Sequence, residues 1–516
     1  MQSNSLYTKN NCINFALIGF PAQSFSRSGL LTSPFSFDCW KLIRRSYFDH
    51  KLIESRVSRH RTRERRGSFR VRAMDEDSVG DFSFSDWGDS NRSSEYTFSS
   101  SEGEESDGEF LQPITDIDLP TSKEQSLATN DSITVSAHRL GMLARTRKKR
   151  KTMFGVMNNV GLMSFSTILL LLVDQSAWRI VRLPLAPFHF MRPFLISVVL
   201  VSCVGYVCVP LFRLLKLRSI TRKEAPTQHS SKKGTPTMGG LFFIPIGLLV
   251  AELVLGFSSI DVSGAVLVTT AFAAIGLLDD FLSINDNNNG LPGWMRILLE
   301  VAVGAGFSYW LYSTDISTPY SMKMVVPLPA PFGLVCLGKI YPVLSSFCFV
   351  SMANGVNLTD GLDGLAAGTA ALAFIGMSIA VLPICSDLAV FGASMAGACV
   401  GFLFQNRYKA SIFMGDTGAL AIGGALAAMA SCTGMFFPLF ISSGIFVLEA
   451  LSVIIQVLFF KGSKYFRRRG FRFFKMAPFH HHLELSGIKE PTIVGAAYAV
   501  TSVLILCAAY LGLTSV

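Results

Sequence analysis

The sequence predicts an all-α fold: a polytopic membrane helical bundle of about ten transmembrane helices, preceded by a disordered N-terminal region. Three observations predict it. Half of the 516 residues are hydrophobic and only 16% are charged, with 42 Phe, whereas soluble domains carry about a quarter charged residues. From about residue 190 onward, apolar runs recur, each of roughly 20 residues, enough to cross about 30 Å of hydrocarbon. The charges are also segregated, so the net +10 is the average of blocks of opposite sign.

Residues 1–73 hold 14 Lys or Arg against 4 Asp or Glu, with no acid before Asp38 and no long apolar core. That composition suits an organelle transit peptide rather than a secretory signal, and "RVRAM" at 70–74 suits a plastid processing site with a mature start near Met74. The sign then flips. From Asp75 to Asp118 there are 14 acids and a single base, Arg92. Nothing there can bury a core, so residues 74–151 read as a disordered spacer, acidic at first. It closes on the basic block "RTRKKRK" at 145–151, which suits an anchor to anionic lipid better than a nucleic-acid patch. No nucleic-acid partner is expected. Within 152–189, the apolar run 157–173 reads either as an interfacial segment or as an eleventh crossing.

The domain proper is expected over 190–516, with spans at 190–213, 237–257, 262–284, 295–313, 333–353, 362–383, 386–405, 415–432, 435–459 and 493–514. With so many crossings every backbone polar group must be satisfied internally, so the spans are helices. The ten cysteines show no C-x-x-C spacing and mostly sit in apolar runs, where they act as small core residues.

Ten spans fix the parity of the loops. Those at 214–236, 285–294, 354–361, 406–414 and 460–492 fall on one side and carry most of the bases; the opposite loops carry one, Lys323. The positive-inside rule puts the first set on the stromal side of a plastid membrane. The unusual polar motifs share that side: "KKGTPTMGG" (232–240), "DDFLSIN" (279–285), "NGVNLTDGLDGLA" (354–366), "FMGDTG" (413–418) and "MAPFHHHLELSG" (476–487). A transporter would be expected to place ionisable groups near the midplane. Polar groups gathered at span ends on one face instead suggest an interfacial active site.

Asp279 and Asp280 end an apolar run, where a helix C-terminus disfavours negative charge and a cation is expected to compensate. Asp360 and Asp363 stand three apart, on one face if the turn is helical. Asp416 lies between glycines that let a ligand approach the backbone. Clustered carboxylates without cysteine suit Mg²⁺. The bland alternatives are helix caps for Asp360 and Asp416 and a surface pair for Asp279 and Asp280. Lys232 and Lys233 precede the glycine-rich stretch, and the 461–475 loop holds seven bases. Carboxylate-held Mg²⁺ beside lysines is equipment for phosphoryl transfer, which needs positioning and charge neutralisation. The adjacent histidines His480, His481 and His482 point about 100° apart on a helix and cannot all meet one ion. By themselves they read as a metal site or as exposed polar filler.

The five motifs occur in the same order as in the phospho-N-acetylmuramoyl-pentapeptide transferases, the MraY family, which the chain resembles over about 190–516. The resemblance implies ten spans and Mg²⁺-dependent transfer of phospho-MurNAc-pentapeptide from UDP-MurNAc-pentapeptide to a polyprenyl phosphate, giving lipid I and UMP. It matches Asp279, Asp280 and Asp416 to the family's essential acids, with Asp416 the expected Mg²⁺ ligand and Asp279 the candidate base. Lys232 and Thr237 match positions near the phosphates, and Asn357, Asp360 and Asp363 match the polar group of "NLTDGLD". Asn406, Phe413 and Gly415 match the nucleoside pocket, with Phe413 stacking on uracil. His480, His481 and His482 match the motif near the diphosphate or sugar. Direct attack of the lipid phosphate on the β-phosphorus is the expected route; a phospho-aspartate on Asp280 is the alternative. The transit-like N-terminus suggests a plant or algal plastid homologue, and a homodimer is compatible with the sequence.

Two stretches depart from the family pattern. The loop "SINDNNNGLPGWMR" carries Ser283, Asn287, Asn289 and Trp294 where bases are usual, leaving Arg296, and Lys409 stands where Pro is common. The rivals are a UDP-GlcNAc:polyprenyl-phosphate GlcNAc-1-phosphate transferase, which lacks "APFHHHLEL", a non-catalytic membrane homologue and a transporter.

Overall fold

The computed structural model describes residues 152–177, 187–215, 217, 234–285, 290–313, 325–329 and 331–515. The expected transit peptide, acidic spacer and basic block, together with Lys232, Lys233, Lys323, Asn287 and Asn289, lie outside the described residues.

All ten expected runs contain helix. After α1 (Thr152–Ala177) come α2 (Met191–Leu214), α3 (Gly240–Leu255), α4 (Ile260–Asn285) and α5 (Gly293–Ser313). A two-stranded antiparallel hairpin follows, β1 (Val325–Pro327) and β2 (Leu334–Cys336), with Val325 opposite Cys336. Next are α6 (Ile340–Thr359), α7 (Leu365–Val381), α8 (Ser386–Asn406), α9 (Gly415–Thr433), α10 (Phe436–Ser442), α11 (Gly444–Arg467), α12 (Phe479–Leu485) and α13 (Glu490–Ser515). Among the described residues, six helices are long and apolar enough to cross a membrane: α1, α2, α4, α8, α11 and α13. The chain is an integral membrane protein. Helices α3 and α7 are equally apolar but shorter.

Two expected spans are corrected. The run begun at 333 starts as strand β2, and its helix begins at Ile340. The run 435–459 is two helices, α10 and α11, parted at Ser443. There the Ser442 hydroxyl and the Ser443 N–H both donate to the Leu439 carbonyl.

The 157–173 run lies within α1, which is tied down at both ends. Near its start, α1 donates from Asn158 to the Pro491 carbonyl at 2.7 Å and from Asn159 to the Leu403 carbonyl at 3.2 Å. Near its end, the Asp174 carboxylate accepts the N–H groups of Phe190 and Met191 at 2.9 and 3.0 Å, capping α2. Its two ends therefore touch opposite ends of the bundle, and α1 is long and apolar enough to cross a membrane.

The core is α7, α8 and α9, whose side chains are almost wholly buried. Helix α9 packs on α4 and α6, α8 on α2, α3 and α7, and α7 on α13. The small residues of "LAAGTAALAF" and "GALAIGGALAAMA" let backbones approach, which is how helices associate where lipid removes the hydrophobic drive. The outer helices turn Leu, Val, Ile and Phe outward, as lipid-facing surfaces do.

Candidate active site

The polar motifs meet where the end of α4 passes the start of α9. A helix start leaves backbone N–H groups without intrahelical partners, and here a neighbouring helix supplies the acceptor. Asp280 accepts the N–H of Asp416 at 3.1 Å, the N–H of Thr417 at 2.9 Å and the Thr417 hydroxyl at 2.6 Å. Gly415, at φ +77°, makes room: a Cβ there would lie 2.7 Å from Asp280 Oδ2. One turn earlier on α4, Gly276 lies against the Asp416 carbonyl with no space for a side chain. The expectation that the aspartate pair ends its helix is corrected, because α4 runs on to Asn285. Asp280 also does cap a helix, α9 rather than its own.

Asp279 faces a different set of partners. It accepts the Leu291 N–H at 2.8 Å and Arg296 Nη1 at 3.1 Å. Arg296 also donates through Nη2 to Asn354 at 3.2 Å, and its Nε lies 3.7 Å from Glu300 one turn on. Asn354 donates to Glu300 at 2.5 Å, and Glu300 is fully buried. The compensating cation expected for the pair is therefore Arg296, the one base of "SINDNNNGLPGWMR", placed in the first turn of α5. Glu300, Asn354 and Thr417 were not singled out from the sequence. The legible signal was an acid four residues after an arginine inside an apolar helix, "RILLEVAVG", where an ionisable group is costly unless partnered.

Asp416 differs from its neighbours. It is only partly buried, it is hydrogen-bonded to the Asn357 side chain, and it lies within electrostatic reach of Asp279, Asp280 and Arg296. The three acids and Asn357 form one cluster. Among the described residues no group of three or more His, Cys, Asp or Glu is arranged to hold a metal by itself.

The turn between α6 and α7 is not helical, so Asp360 and Asp363 do not share a helix face. Asp360 is the C-cap of α6, while Asp363 is buried and accepts the Ala410 N–H at 3.1 Å. Asn406 is 2% exposed; it accepts the Gly364 N–H at 3.0 Å and donates to the Ile412 carbonyl at 2.9 Å. Asp363 and Asn406 thereby lock the 407–414 loop onto the α6–α7 turn. That loop pairs with the stretch before α3: Phe413 N–H donates to Pro236 and Gly239 N–H to Phe413, at 2.8 and 2.9 Å. Thr237 is buried beside the partly exposed Phe413, and its N–H donates to the Leu217 carbonyl at 3.0 Å.

The histidines are not exposed filler. On α12, His480 is 1% exposed, with Nδ1 and its backbone N–H each 3.3 Å from Glu449 of α11. His481 Nδ1 pairs with buried Glu484 at 2.8 Å. His482 Nδ1 accepts the Lys475 N–H at 3.2 Å, and its ring stacks on Phe479. The Nε2 edge of His480 lies directly against Gly361, where only a glycine fits. The last motif is thereby joined to "NLTDGLDG".

Residues 262–434 match the model of glycosyl transferase family 4, and residues 232–244 match signature 1 of the phospho-N-acetylmuramoyl-pentapeptide-transferases. The phospho-N-acetylmuramoyl-pentapeptide-transferase of Microcystis aeruginosa is 42% identical over 319 residues, 61% of this chain and 87% of that one. Those of Nostoc punctiforme and Gloeothece citriformis are 41% and 39% identical, covering 63% and 66% of this chain and 88% and 92% of theirs.

The chain belongs to the phospho-N-acetylmuramoyl-pentapeptide transferase family. The glycosyl transferase match contains the three clustered acids, Asn357, Asp360, Asp363, Asn406, Phe413 and Gly415. The signature contains Lys232 and Thr237.

Proposed function

We propose that the protein transfers phospho-MurNAc-pentapeptide from UDP-MurNAc-pentapeptide to a polyprenyl phosphate, releasing UMP and forming lipid I. The observation that carries this reading is Asp416. It stands at the start of α9, a residue less buried than Asp279 and Asp280, flanked by those two acids, whose oxygens are engaged elsewhere, in a chain about 40% identical to enzymes of that name.

An oxygen of the lipid phosphate attacks the β-phosphorus of the donor. The bond from that phosphorus to the oxygen bridging the α-phosphorus breaks, and UMP leaves with the electron pair. A phosphate monoester with a second pKa near 6 is mostly dianionic at neutral pH, so Asp279 contributes mainly by position, held by Arg296 and the Leu291 N–H. Asp280 sets the start of α9 and hence the place of Asp416. Its three donors leave it poorly disposed to act as a nucleophile, which favours direct attack over a phospho-enzyme. Asp416 and the Asn357 amide are hard donors at the mouth of the site. They fit Mg²⁺, which typically takes one or two protein carboxylates and completes its shell with water and phosphate oxygens. When bound, the ion neutralises charge on the phosphates.

Phe413 offers an aromatic face for the uracil, and Thr237 and Lys232, both within the matched signature, take the phosphates. Gly415, Asn406, Asp360 and Asp363 shape the backbone around them. His480, His481 and His482 lie on the sugar side, presented by Glu449 and Glu484. The basic composition of residues 1–73 and the cyanobacterial relatives support a plastid membrane with this face toward the stroma. Import of a fluorescent fusion to residues 1–73 tests that placement.

The direct test is UMP release by the purified chain with Mg²⁺, UDP-MurNAc-pentapeptide and polyprenyl phosphate, compared with Asp416→Asn. No UMP above that variant sinks the enzymatic reading. Faster turnover with UDP-GlcNAc replaces the donor assignment.

A further inference from the structure

The outward face of helix α11 and of the segment that follows it is exposed and carries none of the residues given a role in the transfer step. Of the six long apolar helices, α11 is the least buried. It leans mainly on α6, while Leu451, Ile454, Ile455, Leu458 and Phe459 face outward. The helix then continues into "KGSKYFRRR" and ends at Arg468, φ +55°.

The returning strand is held against it. Phe471 N–H donates to the Ser463 hydroxyl at 2.8 Å, and the Gln456 side-chain oxygen accepts the N–H groups of Phe473 and Phe474 at 3.1 and 2.8 Å. Phe459 and Phe473 meet edge to face, ring centres 5.5 Å apart. The surface is therefore an ordered turn with its own internal contacts.

Its chemistry is two-sided. Lys461, Lys464, Arg467, Arg468, Arg469, Arg472 and Lys475 are all exposed, and no acid occurs between Glu449 and Glu484. Interleaved with them, Tyr465 is 82% and Phe466 83% exposed, and Phe471 and Phe473 also face out. In water such aromatic exposure is unfavourable, whereas at a bilayer interface aromatic rings and basic side chains are the groups that settle at headgroup level. The patch caps a lipid-facing helix at the same end as Asp279, Asp416 and the histidines, so it sits at that interface.

We propose that the 461–475 turn is a docking surface for anionic lipid headgroups of the active-site leaflet. Its arginines and lysines contact the phosphates, and Tyr465, Phe466, Phe471 and Phe473 settle at the boundary between headgroups and acyl chains. Charge complementarity selects anionic over zwitterionic lipid, and the apolar face of α11 receives the tails. This inference does not depend on which donor or acceptor the active site takes.

The test reconstitutes the full chain in vesicles of equal parts phosphatidylglycerol and phosphatidylcholine, extracts it with mild detergent, and counts retained lipids by native mass spectrometry. The variants are R467Q/R468Q/R469Q/R472Q and the matching four-lysine variant, with size exclusion as the folding check. One base near an anionic leaflet strengthens binding by about fivefold. The wild-type and lysine proteins are therefore expected to retain phosphatidylglycerol preferentially, and the glutamine protein to lose that preference by at least about fivefold. Equal retention of the two lipids by the wild type, or an undiminished preference in a folded glutamine variant, overturns the proposal.

Discussion

Asp280 of α4 takes both the backbone N–H and the hydroxyl of Thr417 on α9, at 2.9 and 2.6 Å. One carboxylate thus joins two helices that meet far apart in sequence and fixes where Asp416 stands. Thr417→Val keeps the N–H bond and removes the buried hydroxyl bond. A hydrogen bond to a charged group contributes about 1.5–3 kcal/mol, so Tm in detergent should fall clearly and UMP release should fall with it. An unchanged Tm removes the joint from the account.

Arg296 stands between Asp279 and Glu300. Arg296→Met leaves two buried carboxylates without their cation, a change that costs about 3 kcal/mol or more, tempered here by the partial exposure of Arg296. Adding Glu300→Leu should restore much of the Tm but not the rate, because Asp279 is still unheld. Recovery of both in the double variant means that Arg296 serves folding alone.

For Asp416 the separation runs the other way. Its carboxylate meets one side-chain hydrogen-bond partner, Asn357. Asp416→Asn should leave stability within about 1 kcal/mol of wild type while UMP release drops by about a hundredfold or more, the scale of losing a group that stabilises developing charge. Thermal melts and a UMP assay on the same preparation decide it.

Gly361 and His480 touch without room for a methyl group. Gly361→Ala should destabilise by about 1–3 kcal/mol through overpacking and raise KM for the donor as α12 is pushed away. His480→Ala removes the clash, so the two changes should be strongly non-additive in a double-mutant cycle. Simple additivity of the Tm shifts means the two motifs are not coupled.

Chelation should abolish UMP release, and Mg²⁺ should restore it more fully than Ca²⁺, which demands more oxygen ligands than Asp416 and phosphates supply. Equal activity with EDTA present removes the metal from the proposal.

The sequence by itself determined the class of fold, because hydrophobic length in a bilayer is a one-dimensional property. Apolar runs of the right length must be helices, and the bases must collect on one side. It also picked out Asp279, Asp280, Asp416 and the histidines, since ordered polar motifs at span ends are visible without coordinates. What each does was decided by tertiary structure. Adjacent aspartates look equivalent in the chain, yet their side chains diverge: Asp280 reaches the start of α9, and Asp279 reaches Arg296. Asn354, Glu449 and Thr417 gain meaning only from partners 31 to 137 positions away, and Glu300 gains a second partner, Asn354, beyond the arginine one turn before it. Asn406 and Asp363 turn inward to hold a loop, and His480 is buried against Gly361. Hydrogen bonds between helices depend on crossing geometry and on which small residues let backbones approach, and no local pattern records that.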